Sequence, residues 1–306
     1  MDQVRTELDL NSPSTDSIKD CRSVWGFLCL SLIMSWAIWL WPVDAKRFIY
    51  VNLLGLQVNW PLLNLKLIAG NCLPGVLALI WARSEGKLQF WDILSTLLRW
   101  KTAPKWYFLA IAIPFGIFTA TLCVALVTLP ARAAIPPMSV LTLSLISAFG
   151  GPLWEEIAWR AFALRKLQIR YSSLTSSLMI GAFWAVWHIP IWIQTLNYLT
   201  VPLLLLISVN LIAWSVIFAF VYGGSGQSLP VVILLHAAYL IIQNELIAAL
   251  AYGQLSLPIE VAEQIAYGPQ TVLLVAMVLS ACLAVILGKR LAPHKARFSY
   301  DGGPHL

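Results

Sequence analysis

The sequence predicts an all-α, polytopic membrane protein with about eight transmembrane helices, and three observations predict it. Of the 306 residues, 59% are hydrophobic and only 11% are charged, against roughly 25% charged in a soluble domain. The mean hydropathy of +0.78 leaves more apolar surface than a single core can hide, so the bilayer must be the solvent. The apolar residues are also gathered into stretches of about 20, the length that crosses roughly 30 Å of hydrocarbon. The same arithmetic excludes a disordered chain, a disulfide scaffold and a nucleic-acid binder. The net charge of +6 comes from sparse basic residues rather than a basic face.

A polar tail, residues 1–22, contains Asn11-Ser12-Pro13-Ser14 and is expected to be disordered. The first span, 23–42, ends on Trp39, Trp41 and Pro42 rather than on a small-residue cleavage site, which marks an uncleaved helix. The second span covers 64–82. Segment 88–100 then places Leu88, Trp91, Leu94 and Leu98 at three- and four-residue spacing, with Asp92 and Arg99 nearby. That pattern predicts a short helix lying on the cytoplasmic membrane surface. The third span, 106–130, closes an N-terminal region of 23–137. A core region of 138–252 follows, with spans at 138–164, 173–196, 200–222 and 228–252. The last span, 269–290, and a cytoplasmic tail make up 253–306.

The basic residues orient these spans, because Lys and Arg accumulate on cytoplasmic loops. With the N-terminus inside, fifteen of the twenty fall on cytoplasmic segments, among them Arg83, Lys87, Arg165, Lys166 and Lys289. Only Lys46, Arg47 and Arg132 fall on the opposite loops, and Lys66 and Arg160 lie within spans or at their edges. Both termini are therefore expected in the cytoplasm, with a bacterial inner membrane as the expected location. The five cysteines stand at unrelated spacings and read as small hydrophobes, neither a disulfide set nor a metal cluster.

An ionisable side chain inside a span costs roughly 2.5–3.5 kcal/mol, so each one that persists is a candidate for function. The fourth span carries Trp154-Glu155-Glu156-Ile157-Ala158-Trp159-Arg160, the fifth Trp184-Ala185-Val186-Trp187-His188, and the seventh His236, Gln243, Asn244 and Glu245. His294 and His305 belong to the polar C-terminal tail, and Glu245 sits near the far end of its span.

Gly150-Gly151-Pro152 interrupts the fourth span, and a proline in a first turn followed by acidic residues favours a helix restarting there. Glu156 and Arg160 are four apart in acid-before-base order, which pairs them on one face. Glu155 points about 100° away and is left to face another helix. At about 1.5 Å per residue, Glu155 lies roughly 14 Å from the cytoplasmic end of its span, His188 about 22 Å and His236 about 12 Å. A carboxylate and two imidazoles at similar depth suit the binding and deprotonation of water. Two routes stay open: a metal such as zinc held by His188, His236 and Glu155, or Glu155 acting directly as general base. Taken singly, an intramembrane His is often a structural hydrogen-bonding residue and Glu156 with Arg160 a salt-bridge staple. Three helices that each carry one such feature favour a shared site.

These residues resemble the CPBP intramembrane proteases, which include CaaX prenyl endopeptidases and bacteriocin-processing or Abi-type proteins. The signature is E-E-x-x-x-R, an aromatic-x-x-x-His motif, and a later His followed four residues on by Asn or Asp. Glu155-Glu156-Ile157-Ala158-Trp159-Arg160 matches the first element, and Trp184 to His188 is similar to the second, with Trp where Phe is usual. His236 resembles the third, preceded by Gly223-Gly224-Ser225 and Leu229-Pro230. The similarity covers roughly 138–250. It implies an intramembrane endopeptidase in which Glu155 activates water, His188 and His236 complete the water or metal site, and Glu156, Arg160 and Trp184 support it. The implied substrate is a peptide or a membrane-anchored protein segment arriving from the cytoplasmic side, with the bilayer as the other partner and no nucleic acid. One position departs: the fourth residue after His236 is Leu240. Gln243, nearly on the same helical face, is the candidate replacement, whereas Asn244 is rotated about 80° from His236. Leu240 also supports a rival reading, a catalytically impaired scaffold or adaptor of the same fold. A third reading, a small transporter, lacks the internal repeat common to many of them.

Overall fold

A computed structural model of the chain describes residues 15–42, 48–53, 56–128, 151–195, 200–253, 276–277, 280–283 and 285. Residues 1–14, the first half of the expected fourth span and the tail with His294 and His305 lie outside them, as do the side chains of Asn244 and Glu245.

The all-α class holds, with seven longer helices and one short helix, α3, among the described residues. Helix α1 is Thr15–Leu40, α2 Leu62–Glu85, α3 Lys87–Leu97 and α4 Pro104–Thr128. Helix α5 covers residues 151–167, followed by α6 Ser173–Thr195, α7 Val201–Gly224 and α8 Leu229–Gly253. The described residues between 276 and 285 are helical as well, inside the expected last span. Among the described residues, four helices contain windows long and apolar enough to cross a membrane: Ser23–Leu40, Leu65–Glu85, Ser173–Gln194 and Val201–Gly224. Pro104–Ala120 and Leu229–Gln243 are shorter apolar stretches.

The structure adds a hairpin that the helix-length pattern did not anticipate. Strands β1 Phe48–Leu53 and β2 Leu56–Pro61 pair antiparallel, with Val51 opposite Val58 and Ile49 opposite Trp60. Both runs are short and rich in β-branched and aromatic residues, which favours strand over helix.

Local chemistry sets the helix ends. Gly86, at φ +152°, turns the chain between α2 and α3 in a conformation that suits glycine. Thr200 caps α7, its hydroxyl accepting from the Leu203 amide, and Pro202 occupies the first turn.

The two ends of the bundle are separated by their polar contacts. At one end Lys166 pairs with Glu85 at 2.7 Å, Ser23 hydrogen-bonds Glu85, and Asp92 pairs with Arg165 and, at 3.7 Å, with Arg99. At the other, Lys66 Nζ donates to the Trp41 carbonyl at 3.2 Å and to Gln194 Oε1 at 2.9 Å. The C-terminus of α2 therefore shares an end with the start of α1 and the end of α5, as alternating spans require.

Small residues let the helices approach closely. A Cβ at Gly181 of α6 would stand 2.7 Å from the Ile212 Cα of α7. Beside it the Ser215 hydroxyl donates to the Ser177 carbonyl at 2.9 Å. In lipid, where burial of apolar surface gives helices no extra attraction, such close packing and interhelical bonds hold them together. Helix α5 contacts α2, α3, α6, α7 and α8 and so forms the hub of the bundle.

Candidate active site

The hub helix is irregular where the chemistry-bearing residues sit. Residues 151–156 are α-helical, but Ile157–Leu164 form a π-helix whose eight residues are all buried. Regular 100° spacing, the basis for reading this span, therefore stops at Glu156. π-Helical turns are rare, cost regular hydrogen bonding and are found frequently at functional sites. Packing locks the segment from outside: a Cβ at Gly75 of α2 would lie 2.5 Å from the Trp154 carbonyl.

The two adjacent carboxylates have different surroundings. Glu155, 4% exposed, accepts from Trp184 Nε1 of α6 at 2.8 Å. Glu156, fully buried, is held from two sides. From its own helix Arg160 Nη1 donates to Oε1 at 3.3 Å, and Arg160 Nε faces Oε2 at 3.3 Å without the alignment of a hydrogen bond. From α8, His236 Nδ1 lies 2.7 Å from Oε1.

Hydrogen-bond roles follow from what each partner can do. The Trp184 carbonyl can only accept, so the His188 Nδ1 that lies 2.9 Å away carries the hydrogen and a neutral ring presents a lone pair at Nε2. Glu156, paired with a guanidinium, accepts from His236 Nδ1, which again leaves Nε2 to the surroundings. Trp184 packs against both imidazoles, its ring centroid 5.5 Å from each. His188 also stacks on Trp192 at 5.6 Å and 16° and meets Trp187 edge-on at 4.8 Å. The rotamers of both histidines are thereby fixed by rings and by a backbone or carboxylate acceptor.

Glu155, Glu156, Arg160, His188 and His236 thus meet around Trp184, with Gln243 placed further along α8. Two participants were not singled out in the sequence. Phe218 of α7 lies 4.7 Å from the Arg160 guanidinium and 5.1 Å from the His236 ring. Nothing in its apolar run marks it, because its role depends on how α7 packs on α5. Tyr239, a phenol three residues after His236, did carry a signal: it is a polar group inside a span.

The donor set tests the zinc route. Among the described residues, no three His, Cys, Asp or Glu side chains are grouped to hold a metal ion. The Glu155 carboxylate is turned to an indole N–H, and the Glu156 carboxylate is engaged by Arg160 and His236. His188, His236 and Glu155 in this arrangement do not fit a three-ligand zinc site.

Residues 136–242 match the family described as Rce1-like, type II CAAX prenyl endopeptidase Rce1-like. A stretch of 52 residues is 42% identical to CAAX prenyl protease 2 of Methanococcus maripaludis. That alignment covers 17% of this chain and 18% of the archaeal protein, so the chain matches under a fifth of its relative's length. Glu155, Glu156, Arg160, Trp184, His188 and His236 all fall inside 136–242; Gln243 falls just beyond it.

Proposed function

We propose, starting from residues 136–242 as a CPBP-family protease core in an integral membrane protein, that this chain is an intramembrane endopeptidase of the glutamate type. The observation that carries the reading is the separation of two adjacent buried carboxylates. Glu156 is consumed by Arg160 and His236, whereas Glu155 keeps one oxygen outside its bond to Trp184.

In this reading a water molecule beside Glu155 attacks the scissile carbonyl. Its oxygen forms the new C–O bond, and one proton passes to Glu155 and then to the leaving amine nitrogen as the C–N bond breaks. Glu156 acts as a positioning residue, turning His236 so that its Nε2 lone pair can accept a hydrogen bond from the attacking water, and the Trp184 carbonyl orients His188 in the same way. Arg160, sandwiched near Trp184 and Phe218, neutralises Glu156. The catalytic residues in this reading are Glu155, His188 and His236, with Gln243 a supporting residue further along α8.

The relative's name makes a peptide ending in a prenylated CaaX motif the first substrate class to test. The excess of Lys and Arg supports a cytoplasmic side for the charged end of the bundle, with Glu85, Asp92 and Arg165. The test is cleavage of such peptides by purified full-length protein and by Glu155→Gln and His188→Ala variants. Each substitution is expected to lower kcat roughly 100- to 10,000-fold with the fold retained; cleavage that survives both overturns the assignment. Leu240, an apolar and partly buried side chain where the family has Asn or Asp, favours one second reading, a non-catalytic scaffold. That reading predicts no cleavage by the wild type and a partner that co-purifies equally with wild type and variants.

A further inference from the structure

We propose that α3 and the linker to α4 form a binding surface for the anionic phospholipid headgroups of the surrounding bilayer. The proposal is independent of the hydrolytic reading, since it uses none of the same side chains.

The fold puts this segment at the membrane surface. Helix α2 ends at Glu85, a single residue turns the chain, and α3 begins at Lys87; α4 starts its return at Pro104. The flanking helices present apolar side chains outward, with Ile80 60%, Phe108 71% and Phe115 61% exposed. Helix α3 therefore lies between two lipid-facing helices.

Its own side chains divide into two faces. Ile93 and Thr96 are buried against the bundle. Leu88, Trp91 and Leu98 recur at three- and seven-residue spacing, a stripe roughly opposite Ile93. They remain exposed, as does Trp100 just beyond, with Leu88 at 80%. Such a stripe in water would be a large liability, and in the boundary between headgroups and acyl chains it is an anchor.

Charge specifies the headgroup. The acidic residues of the region are paired with cations, Glu85 with Lys166 and the exposed Asp92 with Arg165 and Arg99. Lys87, Lys101 and Lys105 remain exposed, Lys105 with its Nζ 5.4 Å from the Trp106 ring centroid. The exposed surface of this segment is thus aromatic, aliphatic and cationic, complementary to a bilayer carrying anionic lipid.

The surface is rigid as well. Arg99 Nη1 donates to the Gly226 carbonyl at 3.3 Å and to Gln227 Oε1 at 3.2 Å. The Thr102 hydroxyl donates to the Ser225 carbonyl at 3.0 Å, and Ser228 donates back to the Arg99 carbonyl at 2.7 Å. The turn so gripped, with Gly226 at φ 73° and Gln227 at φ 63°, leads directly into α8, the helix of His236. The lipid surface is preorganised by these bonds.

Full-length protein in nanodiscs of equimolar phosphatidylcholine and phosphatidylglycerol, analysed by native mass spectrometry, tests the proposal. The wild type is expected to retain phosphatidylglycerol preferentially, and that preference is expected to fall as salt is raised. Each lysine is expected to contribute roughly fivefold, so K87Q/K101Q/K105Q loses the preference. In parallel, tryptophan quenching by lipids brominated near the headgroup is expected to decrease in W91F and in W100F. Equal retention of the two lipids by the wild type, or quenching unchanged in both variants, overturns the proposal.

Discussion

His236 Nδ1 lies 2.7 Å from Glu156 Oε1, a contact that joins α8 to α5 across 80 residues of sequence. It makes Glu156 the shared acceptor of an imidazole from one helix and a guanidinium from its own. Adjacent carboxylates of identical chemistry are thereby assigned different partners, and the consequences can be measured.

Arg160→Gln leaves a buried carboxylate without its cation. Breaking a buried pair in this way typically costs about 3–5 kcal/mol. The expected outcome is a large fall in unfolding temperature in detergent, partly recovered in the double variant E156Q/R160Q, which removes both charges. Strictly additive losses in that double-mutant cycle would contradict the pairing.

Trp184→Phe keeps a ring beside both histidines but removes the donor to Glu155. Loss of one buried hydrogen bond is worth about 1–3 kcal/mol, whereas Trp184→Ala also opens a cavity and costs about 3–5 kcal/mol. The two variants should rank in that order in thermal unfolding. A Phe variant as stable as wild type would show that the indole N–H contributes nothing.

Leu240→Asn restores a polar side chain one turn beyond His236. A donor to the tetrahedral oxyanion is typically worth roughly 100- to 1000-fold in rate. The expected result is a rise of at least about tenfold in kcat on whichever peptide the wild type cleaves, with KM little changed. An unchanged kcat would place Leu240 away from the reacting carbonyl.

Gly181→Ala forces a methyl group into the backbone of α7, since its Cβ would lie 2.7 Å from Ile212 Cα and 2.9 Å from Ser215 Cβ. Gly116→Ala meets nothing within 4 Å. The first should destabilise by about 1–3 kcal/mol through overpacking. The second should be neutral or stabilising by up to about 1 kcal/mol, the helix propensity difference between the residues. Thermal unfolding of the pair, side by side, reads the closeness of the α6–α7 contact directly.

Chelation separates the glutamate and metal routes. With no three ligand side chains grouped among the described residues, cleavage is expected to continue at an unchanged rate in excess phenanthroline. Loss of activity that added zinc restores would return the mechanism to the metal route.

The sequence by itself determined the solvent, the class and the candidates. A shortage of charge and apolar stretches of membrane length can produce only helices that satisfy their own backbone in lipid. Against that background Glu155, Glu156, Arg160, His188 and His236 stood out because each is costly where it lies. Pairing within one helix was legible as well, since Glu156 and Arg160 are four residues apart. Tertiary structure alone decided which carboxylate His236 meets, what Trp184 donates to, and that Phe218 covers Arg160. Those contacts join helices distant in sequence, and their geometry depends on helix rotation, on the close approaches at Gly75 and Gly181, and on a π-helical run at 157–164 that departs from regular spacing. The hairpin of β1 and β2 was hidden for a different reason: it lies in the connection between the first two expected spans, where a search for apolar stretches of membrane length passes over runs of six residues.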